Sequence, residues 1–477
     1  MKNKIILLAG MAGVLSSCNL SRPYTRNTTD LPDNFRNQTV KDSLNMARVS
    51  WKRFFNDSTL IRLIDTALQQ NISLAMAEKD IRMAEERLLQ RKANFFPSVS
   101  VQPEFYGENH SKNRYSSPNG KYYSDSKAPD FMFVSRRQYA FPVTSSWEAD
   151  IWGKLKRMKE SSAAQLTASR ESLKALQTSI VAEVAITYYN LLVLDEQLKV
   201  AHTNLELTQN TLNLTRLQFK AGMVTSLAIQ QTENQLLTAT ALIPKIKREI
   251  VQEENYLKSL MGQYPGKIER SQKLEEVYFS DNVFTGTPMD LLRNRPDVVA
   301  AEYDLLAAYA DADVARASRY PTLALESELG FDSQVFGALF NPMGSLFSTF
   351  SASLLQPLFQ NRKLKTALNI AEIEKERVND AFRATLLRAV REVSDEINNM
   401  EKLEEEYQIA KERIDNAKMA VQNASLLFKS GMANYLEVIS AQSNALNNEI
   451  NLYNIRLDIL TANIELYRKL GGGWDGR

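Results

Sequence analysis

The sequence predicts a mainly α-helical chain with a smaller β portion, built twice over as long antiparallel helical hairpins. Three observations predict this fold class. Residues 219–237 and 428–446 are two versions of one stretch. In it Phe219, Lys220, Gly222, Met223, Leu227 and Leu237 match Phe428, Lys429, Gly431, Met432, Leu436 and Leu446 at a constant offset of 209 residues. Residues 154–221 contain neither glycine nor proline, and apolar residues recur there at helical spacing. Four short segments instead alternate with a period of two, two before each copy of the repeated stretch.

The N-terminus reads as a lipoprotein signal. Lys2 and Lys4 give a positive start, residues 5–14 an apolar run, and Leu15-Ser16-Ser17 leads into Cys18, the only cysteine in the chain. The apolar run is too short to span a bilayer comfortably. Leu-Ser-Ser-Cys resembles a bacterial lipobox, which implies removal of residues 1–17 and lipidation of Cys18. Residues 18–50 are polar with scattered prolines and read as a tether. No later segment offers 18 uninterrupted apolar residues.

Residues 51–93 are helical in pattern, with a break expected at Gln70-Asn71 and an end at Phe95-Phe96-Pro97. Residues 98–107 alternate, with Val99, Val101 and Phe105 on one face and Ser100, Gln102 and Glu104 on the other. Residues 108–137 read as a long exposed loop, and 139–147 as the returning strand with Tyr139, Phe141, Val143 and Trp147 on one side. The next helix, 154–221, would be roughly 100 Å long, so its seam needs neighbouring helices. That seam is expected at Leu173, Leu176, Ile180, Val184, Leu191, Leu194, Leu198, Ala201, Leu205 and Leu212, with Thr187 and Thr208 as polar interruptions. Gly222 ends it as a C′ glycine, a tight turn follows, and the returning helix runs to about Met261 with a kink or break at Pro244.

Residues 51–262 thus form a first repeat, and 263–287 an irregular connector. Residues 288–470 repeat the plan, with strands at 322–331 and about 347–355, and 471–477 form a tail. Pro97 and Pro321 are 224 residues apart, whereas Lys154 and Lys363 are 209 apart, so the second strand hairpin is the shorter.

Four strands per chain cannot close a barrel, and open sheet edges are not tolerated in lipid. If these strands lie in a membrane, several chains share one barrel: two chains give eight strands, three give twelve, and the larger leaves room for a channel. Charged residues are 24% and the net charge is +2, so there is no basic footprint for nucleic acid. Two isolated histidines, His110 and His202, make neither a metal site nor a catalytic dyad, and no phosphate-binding loop occurs. No cofactor, metal or enzyme activity is expected. Asp311 and Asp313 are expected in interhelical or solvated roles.

Several stretches together carry a family resemblance. They are Leu-Ser-Ser-Cys, Trp147-Glu148-Ala149-Asp150-Ile151-Trp152-Gly153, Asn294-Arg295-Pro296-Asp297 followed by Ala300-Ala301-Glu302, Gln356-Pro357-Leu358-Phe359, and the ending Leu470-Gly471-Gly472-Gly473-Trp474. On these the chain resembles the lipoprotein branch of TolC-type outer membrane efflux proteins. The resemblance implies a homotrimer with a shared twelve-stranded β-barrel and a helical tunnel through the periplasm. It also implies lipid anchoring at the outer membrane of a Gram-negative bacterium. The expected partners are a periplasmic adaptor and an inner-membrane pump, commonly of the resistance-nodulation-division class. By position, Gly222-Met223-Val224 and Gly431-Met432-Ala433 would be the adaptor-contacting tips, and Glu437 a carboxylate at the tunnel constriction. Three such carboxylates at a narrow point would raise one another's pKa and favour cations. Two departures count against a charged gate: the second acidic position is Ser440, and the first-half counterpart of Glu437 is Ala228. The expected function is a passive exit duct for small molecules. A duct for peptide or protein secretion and a non-conducting envelope scaffold are the competing readings.

Overall fold

Two proline corners and two tryptophans organise the β portion. In the computed structural model, which describes residues 31–36, 46–111, 133–277, 279 and 285–475, contacts divide the chain into two units. One comprises residues 84–166 and 305–378, the other 26–83, 167–304 and 379–477 among those described. The signal segment, Cys18, most of the tether and the centre of the first long loop lie outside the described residues.

The sheet-bearing unit has β1 (Ser98–Val101), β2 (Glu104–Ser111), β3 (Phe133–Ala149), β4 (Thr322–Ser333) and β5 (Leu346–Leu355). Both β1 and β2 pair with β3, β3 pairs with β4 and β4 with β5, all antiparallel. The two strand pairs therefore form one open sheet with four strand positions. The expected first strand is split because Pro103 has no N–H to give the ladder. Register is kept across the split, with Val101 opposite Val143 and Glu104 opposite Ala140. β3 is longer than its alternation predicted, because Phe133–Gln138 pair with the weakly patterned end of β2. The Trp147 indole donates to the Phe95 carbonyl at 3.0 Å and the Trp152 indole to that of Pro321 at 2.7 Å. Each helix-to-strand corner is thus pinned by a buried-side donor that needs a partner.

The other unit is helical. The helices of the chain are α1 (Ser58–Gln70), α2 (Ile72–Ala93), α3 (Lys154–Lys220), α4 (Ser226–Leu260), α5 (Pro296–Ala317), α6 (Lys363–Lys429) and α7 (Tyr435–Lys469), with single turns between some of them; residues 84–93, 154–166, 305–317 and 363–378 of α2, α3, α5 and α6 belong to the sheet-bearing unit. The matched helices agree in length: α3 and α6 have 67 residues, α4 and α7 have 35. The break at Asn71 arises because its side chain accepts from the Ser73 and Leu74 amides, capping α2, and donates to the Leu260 carbonyl. Trp51, Phe55, Leu60 and Ile64 pack with Val184, Tyr188, Leu191, Leu257 and Tyr467 in the core. Arg270 draws the connector in by donating to Asp195 at 2.6 Å and Glu254 at 2.7 Å.

Two expectations need correcting. Of the kink or break expected at Pro244, the break does not occur: α4 continues through it. Pro244 and Thr240, whose carbonyl loses its partner, are on an exposed side where water can replace the bond, while Ala239, Ile246 and Ile250 stay buried. The seam of α3 also departs from the leucine pattern towards its C-terminus, as described below.

Candidate functional site

Sequence places the chemistry of interest at the two helical turns, and the structure builds them alike. At the end of α3 the Met223 amide donates to the Gln218 carbonyl and the Gly222 amide to that of Phe219, both at 2.9 Å. At the end of α6 Met432 donates to Leu427 at 2.9 Å and Gly431 to Phe428 at 3.2 Å. These paired bonds satisfy the last carbonyls of each helix and require a left-handed residue between them. Gly222 and Gly431 supply it, with φ of 74° and 77°. The structure brings the two turns together: a Cβ on Gly431 would lie 3.5 Å from the Met223 methyl carbon. Met223 and Met432 are exposed, and Val224 and Ala433 half-buried.

Glu437 is exposed in the first turn of α7. Its amide donates to the Asn434 side chain at 3.1 Å, and the Asn434 amide group donates to its carboxylate at 3.0 Å. Within this chain the residue completes a helix cap, where the helix dipole also favours an anion.

Sequence reasoning missed the contacts that join the two hairpins. Gln218 donates to the Phe428 carbonyl at 3.0 Å, Gln442 to the Thr211 hydroxyl at 3.0 Å and Gln197 to Asn454 at 2.8 Å. The Tyr435 hydroxyl donates to the Gln231 side chain. Beyond Ala201 the buried stripe of α3 keeps the expected Leu212 but is otherwise Asn204, Thr208, Thr211, Thr215 and Gln218, while Leu205 is only half-buried. Leucine content hid this stripe, although Ala201, Thr208, Thr215 and Asn204, Thr211, Gln218 each recur every seven residues. The three threonine hydroxyls donate to carbonyls four residues earlier on their own helix, leaving their methyl groups for the seam.

In the sheet-bearing unit Asp313, which the sequence left without a chemical role, lies between Arg157 at 3.3 Å and Arg316 at 2.7 Å. Burial raises its pKa, and the two guanidinium groups oppose that rise. Glu372 takes Arg316 at 2.5 Å and also Lys375; the hydrogen bond from Lys375 is the main reason its pKa is lowered. This is a structural ion network. His202 is exposed on α3. No group of acidic, histidine or cysteine side chains among the described residues is arranged to hold a metal. Nor is any described helix long and apolar enough to cross a membrane.

The family model described as outer membrane efflux protein matches residues 63–263 and 287–472. The chain belongs to the outer membrane efflux protein family. It is 26% identical to the pyoverdine export outer membrane protein OpmQ of Pseudomonas putida over 460 residues, covering 96% of this chain and 95% of that one. It is also 26% identical to the cation efflux system protein CusC of Escherichia coli, covering 97% and 98%. Against a solved CusC structure the TM-score is 0.83 at 25% identity, over 96% of this chain and all of the other (100%). An outer membrane efflux channel of TolC-like fold is therefore the right description of this chain.

Proposed function

We propose that three copies of this chain form the exit duct of a tripartite efflux pump. The open sheet carries the proposal. Its four strand positions end in two unpaired edges, β1–β2 on one side and β5 on the other. In lipid such edges must be paired, and three copies joined edge to edge, their strands antiparallel throughout, give a closed barrel of twelve strands. Small molecules would reach this barrel through a periplasmic adaptor from an inner-membrane transporter, which the family resemblance assigns to the resistance-nodulation-division class.

The two turns would meet the adaptor. Their support is an apolar collar: Leu217, Met223, Leu227, Leu426, Met432 and Leu436 are all exposed in the single chain, and clustered exposed apolar side chains mark interaction surfaces. Glu437 would line the constriction in addition to capping α7. Cys18 would carry the lipid anchor. The similar proteins are named for pyoverdine and for cations, two unrelated cargoes, which supports a duct that leaves cargo choice to the transporter. No catalytic chemistry is assigned to it.

Planar-bilayer conductance of the purified protein, with its oligomer mass measured in parallel, tests the proposal. Small currents from a trimer are expected, larger when the turns are loosened. A trimer that inserts yet carries no current with loosened turns would return the chain to an envelope scaffold.

A further inference from the structure

The loop joining β4 to β5 is unlike the loop of the first strand pair. Residues 334–345 contain no charged side chain, whereas residues 112–132 contain Lys112, Arg114, Lys121, Asp125, Lys127 and Asp130. It is a built loop. The Val335 amide donates to the Ser333 hydroxyl at 3.1 Å, the Met343 amide to the Asn341 side chain at 3.2 Å, and the Ser345 hydroxyl to the Ala338 carbonyl at 2.8 Å. Leu339 is buried beneath it. Yet Val335, Phe336 and Phe340 are more than 60% exposed and Met343 is 98% exposed.

Register shows which side of the sheet this loop covers. Phe105 pairs with Tyr139, Phe141 with Phe331 and Val143 with Leu329, so these residues share one face. The opposite face carries Glu104, Thr144, Glu326, Glu328 and Asp332. The Phe336 ring packs edge-on to Tyr139 at 5.4 Å. The Phe340 ring packs edge-on to Phe141 at 5.9 Å and to Phe331 at 6.0 Å. The loop is thus folded over the apolar face, away from the acidic one. These covered rings sit on β3 and β4, the inner strands, whereas a neighbouring copy would pair at β5 or β1–β2.

We propose that residues 335–343 form an apolar wedge seated among lipid acyl chains at the rim of the barrel, with Met343, Phe336 and Phe340 entering the leaflet. The occupant follows from continuity. The loop extends the same apolar face that the strands present to lipid, and an uncharged apolar segment at a membrane boundary is favoured at that interface. Lipid also removes the exposure that water would penalise. The inference rests on the reading of the sheet as membrane-spanning.

The test uses the full lipidated chain, whose parent form takes up no label because lipid blocks the Cys18 thiol, with one introduced thiol in three versions: Met343→Cys, Phe350→Cys and Tyr264→Cys. Phe350 is exposed on the apolar strand face and Tyr264 on the helical unit. Each is labelled with an environment-sensitive nitrobenzoxadiazole dye and reconstituted into phosphatidylcholine vesicles with or without doxyl-labelled lipid. The label at 343 is expected to show blue-shifted emission, quenching by doxyl lipid, and iodide quenching several-fold weaker than at 264. If 350 responds to doxyl lipid while 343 responds only to iodide, the loop lies in water and the wedge is wrong. Protection of 343 from both quenchers would mean that a neighbouring chain covers it, which also overturns the wedge. Loss of doxyl quenching at 350 itself would overturn the membrane reading beneath the proposal.

Discussion

The side-chain amide of Gln218 donates to the backbone carbonyl of Phe428 across 3.0 Å, so the end of α3 is tied to the end of α6 at a buried position. The Phe428 carbonyl keeps the Gly431 amide when that donor is removed, so the loss is one net hydrogen bond, about 0.5–1.5 kcal/mol. Gln218→Leu is therefore expected to speed hydrogen exchange at the Met432 amide by a few-fold, up to about tenfold. Unchanged protection there would show that the tie does not hold the turn.

Thr215→Val provides the contrast. The Thr215 hydroxyl is spent on the Thr211 carbonyl of its own helix, so its loss removes no link between helices. Stability is expected to change by less than about 1 kcal/mol in either direction. Thermal midpoints of the two variants, measured side by side, separate a linking amide from a self-satisfied hydroxyl.

Arg270→Met should be far more damaging. It strands Glu254, which is 8% exposed, and Asp195 beside it. Removing one member of such a buried group costs about 3–5 kcal/mol. A drop in thermal midpoint is expected, with the connector cut early in limited proteolysis.

Glycine substitutions should rank by what a methyl group would meet. At Gly472 a Cβ would fall 2.3 Å from the Tyr467 ring. That ring cannot retreat, being stacked on Phe54 at 4.2 Å and tied through its hydroxyl to the Val49 carbonyl. Gly222 has open space but a φ of 74°. Gly222→Ala is expected to cost about 1 kcal/mol, and Gly472→Ala about 1–3 kcal/mol or more through overpacking. Denaturation midpoints that place them in the reverse order would refute the assignment.

The ion network carries a pH signature. The carboxyl of Glu372 has its pKa lowered in the folded chain, first by the Lys375 hydrogen bond. Its stabilising contribution is then complete above the ordinary glutamate value and is lost as pH falls through the lowered one. Glu372→Gln should differ most from the parent near neutrality and converge with it in acid. Asp313 acts with the opposite sign, since burial raises its pKa: its ionisation penalty applies at neutral pH and lifts on acidification. Melting curves of Glu372→Gln and Asp313→Asn across pH check the two signs.

The long helices, their glycine ends and the alternating strands were legible because each rests on a local pattern: period, punctuation and turn chemistry. The split at Pro103 was available in the same terms but was overridden by the strong alternation around it. What could not be read locally was pairing. Nothing in β2 announces that Asn109 will face Ser135, because Asn, His and Ser are poor strand formers held by a partner 26 residues away. The seam of α3 failed for another reason. Threonine reads as polar in sequence, yet in a helix it can hide its hydroxyl and pack through its methyl, as at Thr208 and Thr215. Glu437 stands out in the sequence for its charge, while its cap to Asn434 is readable from their three-residue spacing.

The matched lengths of the two halves carry one more consequence. From Lys154 to Leu260 and from Lys363 to Lys469 the chain keeps the same count through helix, turn and helix, and the whole 15-residue disparity falls before them, among the strands and their loops. One residue inserted into a helix turns everything beyond it by about 100° and advances it by about 1.5 Å. In α3 or α6 that would rotate every later seam residue out of contact, so length there acts as phase. A loop between strands has no phase to lose. Engineered insertions should follow the same rule: tags belong in residues 112–132, and a single added residue in α3 should disable the fold that several added in the loop leave intact.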